Sequence, residues 1–528
     1  MAILSTTAVV ITSIVISVVY YMYRRLAIGS RSTTHLLDYP SPPHWFWGHE
    51  KAALYDTPYG ELYSEWIDEK GRVIRTKGAL WHGDILIVAD PQALWHIEVK
   101  NAYSYQKSRG LRSLIERILG RSILWIEGDE HKRTRSALIS CFTEMDGVVN
   151  GCAEKLVDSM RMHIINEMDN GVLSPIVNIV EWNSGITLDI IGRVGFDHDF
   201  GLGKSSEATE LSRTVEDFVE STSTFTGFLL IFMTDADSFA SLPFYLSLPF
   251  DVVRKQAAIR SHVRKVGRYL ADAKVARLMR GESLSEDSKD LLSHLIKASY
   301  KEGEALDVDE LLDHINTFIL TGYETTAVTV SFAVHALAHH TDVQTQLRGE
   351  LNEFGREPRF DDFQNKDILR LLDAVTKESF RLYPAAPHTE RVAGKDDVIP
   401  LSGPVRASDG SLMNFIAIKK GQMIVIPRLS INTRRGAWVS LSGWNHLDTF
   451  GEGAHMCIGF RLAIFEFKAI LAALVKAFVF EEVPNVQTKS HNIVGTLQPS
   501  TVLHDPSTKR PFTKAHYLPV KLSLADQH

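Results

Sequence analysis

Three short stretches of this chain hold residues able to do chemistry together. In Phe450-Gly-Glu-Gly-Ala-His-Met-Cys-Ile-Gly459 a cysteine stands in a glycine-punctuated loop that leads into the apolar run Phe460 to Phe478. A thiolate at Cys457 could ligate iron. Gly451, Gly453 and Gly459 permit tight turns and close approach of a flat group, and the N–H groups of the helix expected from Phe460 would temper the sulfur's charge. Glu378 and Arg381 are three apart in a pattern (Ile368, Leu371, Leu372, Val375) that reads as helix until Pro384, so they share one face. Thr321-Gly-Tyr-Glu-Thr-Thr326 lies inside an apolar-periodic segment from about Val308 to His340, with Asp307 and Glu310 as its start signal. Such a helix would be roughly 50 Å long. Each stretch alone has a plainer reading: a small buried cysteine, a surface ion pair worth under about 1 kcal/mol, and ordinary helix threonines.

Taken in order, the three resemble the cytochrome P-450 family. The resemblance makes Cys457 the axial thiolate of a haem b iron, in a loop completed by Phe450 and the three glycines. It makes Glu378 and Arg381 a buried structural brace, and Glu324 and Thr325 the acid and hydroxyl above the iron. A thiolate ligand favours cleavage of the O–O bond of dioxygen, which needs protons delivered to the distal oxygen. Gly322 costs about 1 kcal/mol in a helix, so an opened backbone or a closely approaching ligand is expected there. Thr321 stands where the family has alanine or glycine and should narrow the pocket.

The resemblance also supplies partners for the haem propionates: His131, Arg135, Arg391, and His455, which replaces a commoner arginine and makes the charge there depend on pH. The pocket is expected from Thr317 and Thr321, Ala385, Ala386 and Thr389, and Thr496, with Phe218 to Phe250 as an apolar roof. One family element is missing. A Pro-Glu-Arg-Phe-like segment, whose arginine joins the brace, does not occur between Ile424 and Phe450, and breaking a buried ionic network typically costs about 3 to 5 kcal/mol.

Composition limits the alternatives. At 528 residues and 45% hydrophobic the chain can bury a very large core, and its length alone would suggest three domains. No linker or repeat divides it. A net charge of -7 without a long basic block argues against nucleic acid, and three cysteines (Cys141, Cys152, Cys457) cannot make a disulfide framework. From Ala2 to Tyr23 no side chain is charged, and Arg24 and Arg25 follow. About 20 apolar residues span a bilayer, and the arginines would keep the remainder in the cytosol. Pro40-Ser-Pro-Pro43 with Trp45, Phe46 and Trp47 resembles the family's proline-rich hinge.

The expected organisation is therefore a transmembrane anchor (1–23), a polar tether (24–39) and a haem-thiolate catalytic part (40–528), mostly α with a small β subdomain. The resemblance implies a monooxygenase at the endoplasmic reticulum membrane, facing the cytosol. It would act on a lipophilic small molecule with dioxygen and electrons from an NADPH-dependent reductase, and admits cytochrome b5 as a further donor. No G-x-G-x-x-G fingerprint is present, so electrons must come from outside. Two rival readings are a membrane-anchored remnant that turns nothing over, suggested by the missing segment, and a thiolate-haem isomerase or dehydratase, which Glu324 and Thr325 argue against.

Overall fold

The computed structural model describes residues 33–79, 82–139, 146–229, 251–279, 291–292, 308–365, 367–434, 443–493, 495–504 and 511–525. The expected anchor, Asp307, Cys141, Arg435 and Trp438, and the roof residues from 230 onward, lie outside them. Among the described residues no helix is long and apolar enough to cross a membrane.

The chain forms two compact units, one made of the part up to Ser108 with Thr389–Ile431, the other of Arg109–His388 with Asn432–His528. The first is built on a five-stranded sheet in the order Val73–Lys77, Asp84–Val88, Met423–Ile426, Thr389–Ala393, Tyr105–Gln106. Only the Asp84–Val88 and Met423–Ile426 pair runs parallel. A hairpin, Asp397–Arg406 with Leu412–Ile418, alternates inward Ile399, Leu401, Ile416 and Ile418 with outward positions, the period-two pattern of a half-buried ribbon.

The second unit is helical, with two three-stranded sheets. Its axis is the helix Val308–His339, 32 residues, hence about 48 Å. The helix begins and ends where the apolar period places it, and it is buried on nearly all sides from Leu312 to Ala338, as a helix apolar all round must be. It packs along Ile179–Phe196, and polar groups lock the two: Thr187 donates to the Tyr323 carbonyl at 2.7 Å and Asn183 to Ser331 Oγ at 2.9 Å. A third helix, Phe460–Ala477, is buried through Phe465, Phe467, Ile470, Leu471 and Leu474.

Gly322 is explained by this packing rather than by an opening. The axial helix is continuous through it, and a Cβ at this position would lie 2.7 Å from Ile191 Cγ1 of the neighbouring helix. Of the two expectations, an opened backbone or a closely approaching ligand, the opening is absent; the glycine lets two helices approach.

Candidate active site

The cysteine loop lies at the head of Phe460–Ala477, with Gly459 at the N-cap. Gly451 (φ 68°) and Gly453 (φ 63°) take left-handed backbone that favours glycine. Gly459 has ordinary φ, and a Cβ there would meet open space. The Cys457 N–H donates to the Phe450 carbonyl at 2.8 Å and closes the loop. Phe450 is the anchor beneath it, 9% exposed, in ring contact with Phe380 (5.2 Å), Trp444 (5.6 Å) and Phe460 (6.1 Å). The side of Cys457 itself is exposed.

Of the four basic candidates, two meet. His131 on helix Gly128–Leu138 is buried, and its ring lies 4.5 Å from that of His455. Glu127 adds an acid, its Oε2 3.6 Å from His455 Nε2. Arg135, one turn along from His131, is half-buried. Arg391 belongs to the other unit, where it donates to Thr389 Oγ1 at 2.7 Å and its own neighbour's carbonyl, with Glu98 at 3.9 Å.

Glu378 and Arg381 form the expected pair through two hydrogen bonds of 2.6 and 2.7 Å on helix Arg370–Leu382. The guanidinium holds the Glu378 carboxyl below the usual range. The expectation of burial needs correction: the Glu378 side chain is 55% exposed and that of Arg381 19%. Among the described residues no second cation reaches Glu378.

Arg381 instead spans to Asn432, whose carbonyl accepts its Nη1 at 3.2 Å. Asn432 is fully buried; its Nδ2 donates to Thr449 Oγ1 at 2.8 Å and its Oδ1 accepts the Asp448 N–H at 2.9 Å. Thr449 in turn donates to the Phe380 carbonyl at 2.8 Å. The brace helix and the cysteine loop are thus joined through Asn432 and Thr449. Sequence reasoning passed over Asn432 and Thr449 because nothing in their local pattern distinguishes a hub from a loop residue.

On the axial helix a ladder of threonines runs along one side. Thr321 donates to the Thr317 carbonyl (2.7 Å), Thr325 to Thr321 (2.8 Å) and Thr329 to Thr325 (3.1 Å). The Thr317 hydroxyl is buried 2.6 Å from Ser122 Oγ. Glu324 is half-buried, and desolvation pushes its carboxyl up to about 7, opposed by a 2.7 Å hydrogen bond from Gln498 Nε2. Burial therefore keeps much of this acid protonated up to neutral pH. Ala385 is brought next to Thr496 because its carbonyl accepts the Leu497 N–H at 2.8 Å. Ala386 is half-buried beside it in the chain, and Thr389 lies in the other unit.

Similarity to known proteins decides the family. The family model for cytochrome P450 matches residues 39–438 and 446–505. The chain belongs to the cytochrome P450 family. The match breaks at 439–445, inside the stretch where the Pro-Glu-Arg-Phe-like segment is missing. The chain is 28% identical to cytochrome P450 monooxygenase claU of Ampulloclitocybe clavipes, over 88% of this chain and 89% of the relative. It is 30% identical to cytochrome P450 monooxygenase 205 of Postia placenta over 85% and 87%. It is 28% identical to ganoderic acid synthetase CYP5150L8 of Ganoderma lucidum over 75% and 79%.

The protein is thus an oxidoreductase of the P450 monooxygenase class, helix-rich with small sheets. The family implies a haem iron with a thiolate ligand, dioxygen, a redox partner and a small-molecule substrate. The residues present fit that cofactor: an exposed cysteine just before a helix, left-handed glycines that keep side chains off the loop, and His131 beside His455 as candidate hydrogen-bond donors. Of the other cysteines, Cys152 is buried, and desolvation pushes its thiol up to about 12, which makes it a poor ligand.

Proposed function

We propose that the chain hydroxylates or otherwise oxidises a lipophilic small molecule in secondary metabolism. Cys457 would hold the haem b iron; His131, His455, Arg135 and Arg391 would hold its propionates; and Glu324 and Thr325 would deliver protons. The observation that carries the reading is the exposed Cys457 thiol on a loop fixed at Phe450 and tied through Asn432 to Arg381.

When bound, a thiolate-ligated haem supplies the electron-rich iron at which dioxygen is activated. The chain's own contributions are separable. The head of the Phe460–Ala477 helix stabilises the sulfur as thiolate. Glu324, with much of its carboxyl protonated up to neutrality, would be a proton source, and the Thr325 hydroxyl would be a second proton-delivering group on the adjoining face of the helix. Thr321 and Thr317 occupy earlier rungs of the same ladder, where their methyls limit the room for substrate.

Electrons would come from NADPH through a membrane-bound reductase, with cytochrome b5 as a second donor. Lys132 and Arg133 are exposed on the helix that buries His131, which leaves two cations available to steer an acidic partner. The uncharged segment from Ala2 to Tyr23, with Arg24 and Arg25 after it, supports a single-pass anchor at the endoplasmic reticulum with the catalytic part (40–528) in the cytosol. Trp45, 79% exposed after the proline-rich stretch, suits a membrane interface. The remnant and isomerase readings are not favoured, since the relatives are named monooxygenases.

Isotopically labelled dioxygen tests the proposal. Membranes containing the full chain and a reductase, given NADPH and a panel of lipophilic compounds, should yield a product with one labelled oxygen atom. A product whose added oxygen comes only from water, or a rearranged product formed without NADPH, would exclude monooxygenation.

A further inference from the structure

Behind Glu324 lies a polar chain that the sequence does not reveal. Gln498, on strand Thr496–His504, is 1% exposed. Its Nε2 donates to Glu324 Oε1 at 2.7 Å and to Thr496 Oγ1 at 3.2 Å. Its Oε1 lies 3.1 Å from Nδ1 of His516, which is itself buried.

Donor and acceptor chemistry fixes the order. The amide turns its NH2 to Glu324 and its oxygen to His516, the orientation that an ionised Glu324, which only accepts, requires. His516 must then present Nδ1–H. Burial pushes its imidazole down to about 4, so the ring is neutral at working pH and one tautomer suffices. The backbone holds the ring in place: the His516 N–H donates to the Pro499 carbonyl at 2.9 Å, and the His516 carbonyl accepts Asn178 Nδ2 at 3.3 Å. His516 adopts left-handed backbone (φ 53°), a conformation uncommon for residues with a side chain, though histidine and asparagine are enriched in it.

Other titratable groups around Glu324 do not replace this contact. Tyr323, next on the helix, is buried and kept neutral by desolvation. Glu216, from helix Ser206–Thr222, adds only negative charge near that tyrosine. Among the described residues the Gln498 amide is the one group that favours the ionised form of Glu324.

We propose that Gln498, oriented by His516, is a positioning residue that holds the Glu324 carboxyl in one direction and governs its ionisation through the donated hydrogen bond. The inference rests on the assignment of Glu324 to proton delivery, but the contact can be tested apart from turnover. The measurement is infrared difference spectroscopy of the purified full chain, subtracting Glu324→Gln, so that the Glu324 carboxylic C=O band is followed against pH.

In Gln498→Leu the carboxylate loses its donor, and the midpoint of that band should move up by about one pH unit, a tenfold change in acidity. An unmoved midpoint would overturn the proposal. His516→Leu should shift it in the same sense. His516→Asn keeps an amide N–H where Nδ1 stood and tolerates the left-handed backbone, so it should restore the midpoint. Should Gln498→Leu fail to fold, the His516 pair carries the test: a shift in Leu but not in Asn supports the relay, and equal midpoints refute it. If Glu324→Gln couples reductant to product as well as the wild type does, the proton-delivery reading fails while the infrared result still judges the contact.

Discussion

Arg381 is held by Glu378 on one side and donates to the carbonyl of Asn432 at 3.2 Å on the other. This contact helps carry the brace helix to the cysteine loop, because Asn432 also binds Asp448 and Thr449, and Thr449 itself donates to the Phe380 carbonyl of that helix. A surface ion pair would stabilise little; a buried asparagine with its side-chain oxygen and nitrogen both engaged is a stronger constraint.

Asn432→Ala should therefore cost about 1 to 3 kcal/mol, since it strands the buried Asp448 N–H and takes from Thr449 Oγ1 the hydrogen bond it accepts. Denaturant unfolding should show the loss, and the fraction of chain that binds haem should fall with it. Unchanged stability would mean that the loop is held elsewhere.

Gly322→Ala separates two accounts of that glycine. Helix propensity alone predicts a gain of about 1 kcal/mol. The contact with Ile191 predicts overpacking of about 1 to 3 kcal/mol, so the variant should be less stable by about 1 kcal/mol. Adding Ile191→Ala should make Gly322→Ala favourable relative to the Ile191→Ala background. A stabilised single variant would show that the helices can part without cost.

The family's motifs were legible in the sequence because they are local. A cysteine between glycines, an i, i+3 ion pair and a Thr-Gly-x-Glu-Thr-Thr hexamer can be recognised from spacing, and the axial helix follows from its apolar period. What stayed hidden depends on contacts distant in the chain. Asn432 meets Asp448 and Thr449, 16 and 17 positions on, Gln498 reaches Glu324 from 174 positions away, and the partner of Gly322 is Ile191 on another helix. The exposure of Glu378 was hidden for the same reason, because it depends on which groups the rest of the chain brings near.

Glu324 makes stability depend on pH. Its folded value, about 7, lies above the usual 4.3 of a glutamate. Between these values the folded state holds a proton that the unfolded chain has lost, so stability declines as pH rises from about 4.3 to about 7 and then levels. Glu324→Gln should remove that component of the slope. Melting temperatures of both proteins across this window should converge at the acid end and separate above pH 7, with the variant higher. Parallel curves would place the Glu324 carboxyl in an ordinary solvated state.

Thr325→Ala should leave the fold intact, since its hydroxyl only adds a second donor to the Thr321 carbonyl. Product formed per reductant consumed should fall about tenfold or more, as expected when a positioned proton relay is lost, with peroxide released instead. Loss of haem binding in this variant would mark Thr325 as structural.

The most direct test of the central claim is the reduced, carbon-monoxide difference spectrum of the full chain beside Cys457→Ser. The wild type should show the strongly red-shifted Soret band that a thiolate ligand produces, and the serine variant should lack it, because a neutral hydroxyl cannot supply the same electron donation. A wild type without that band, or a Cys457→Ser variant that retains it, would contradict Cys457 as the ligand.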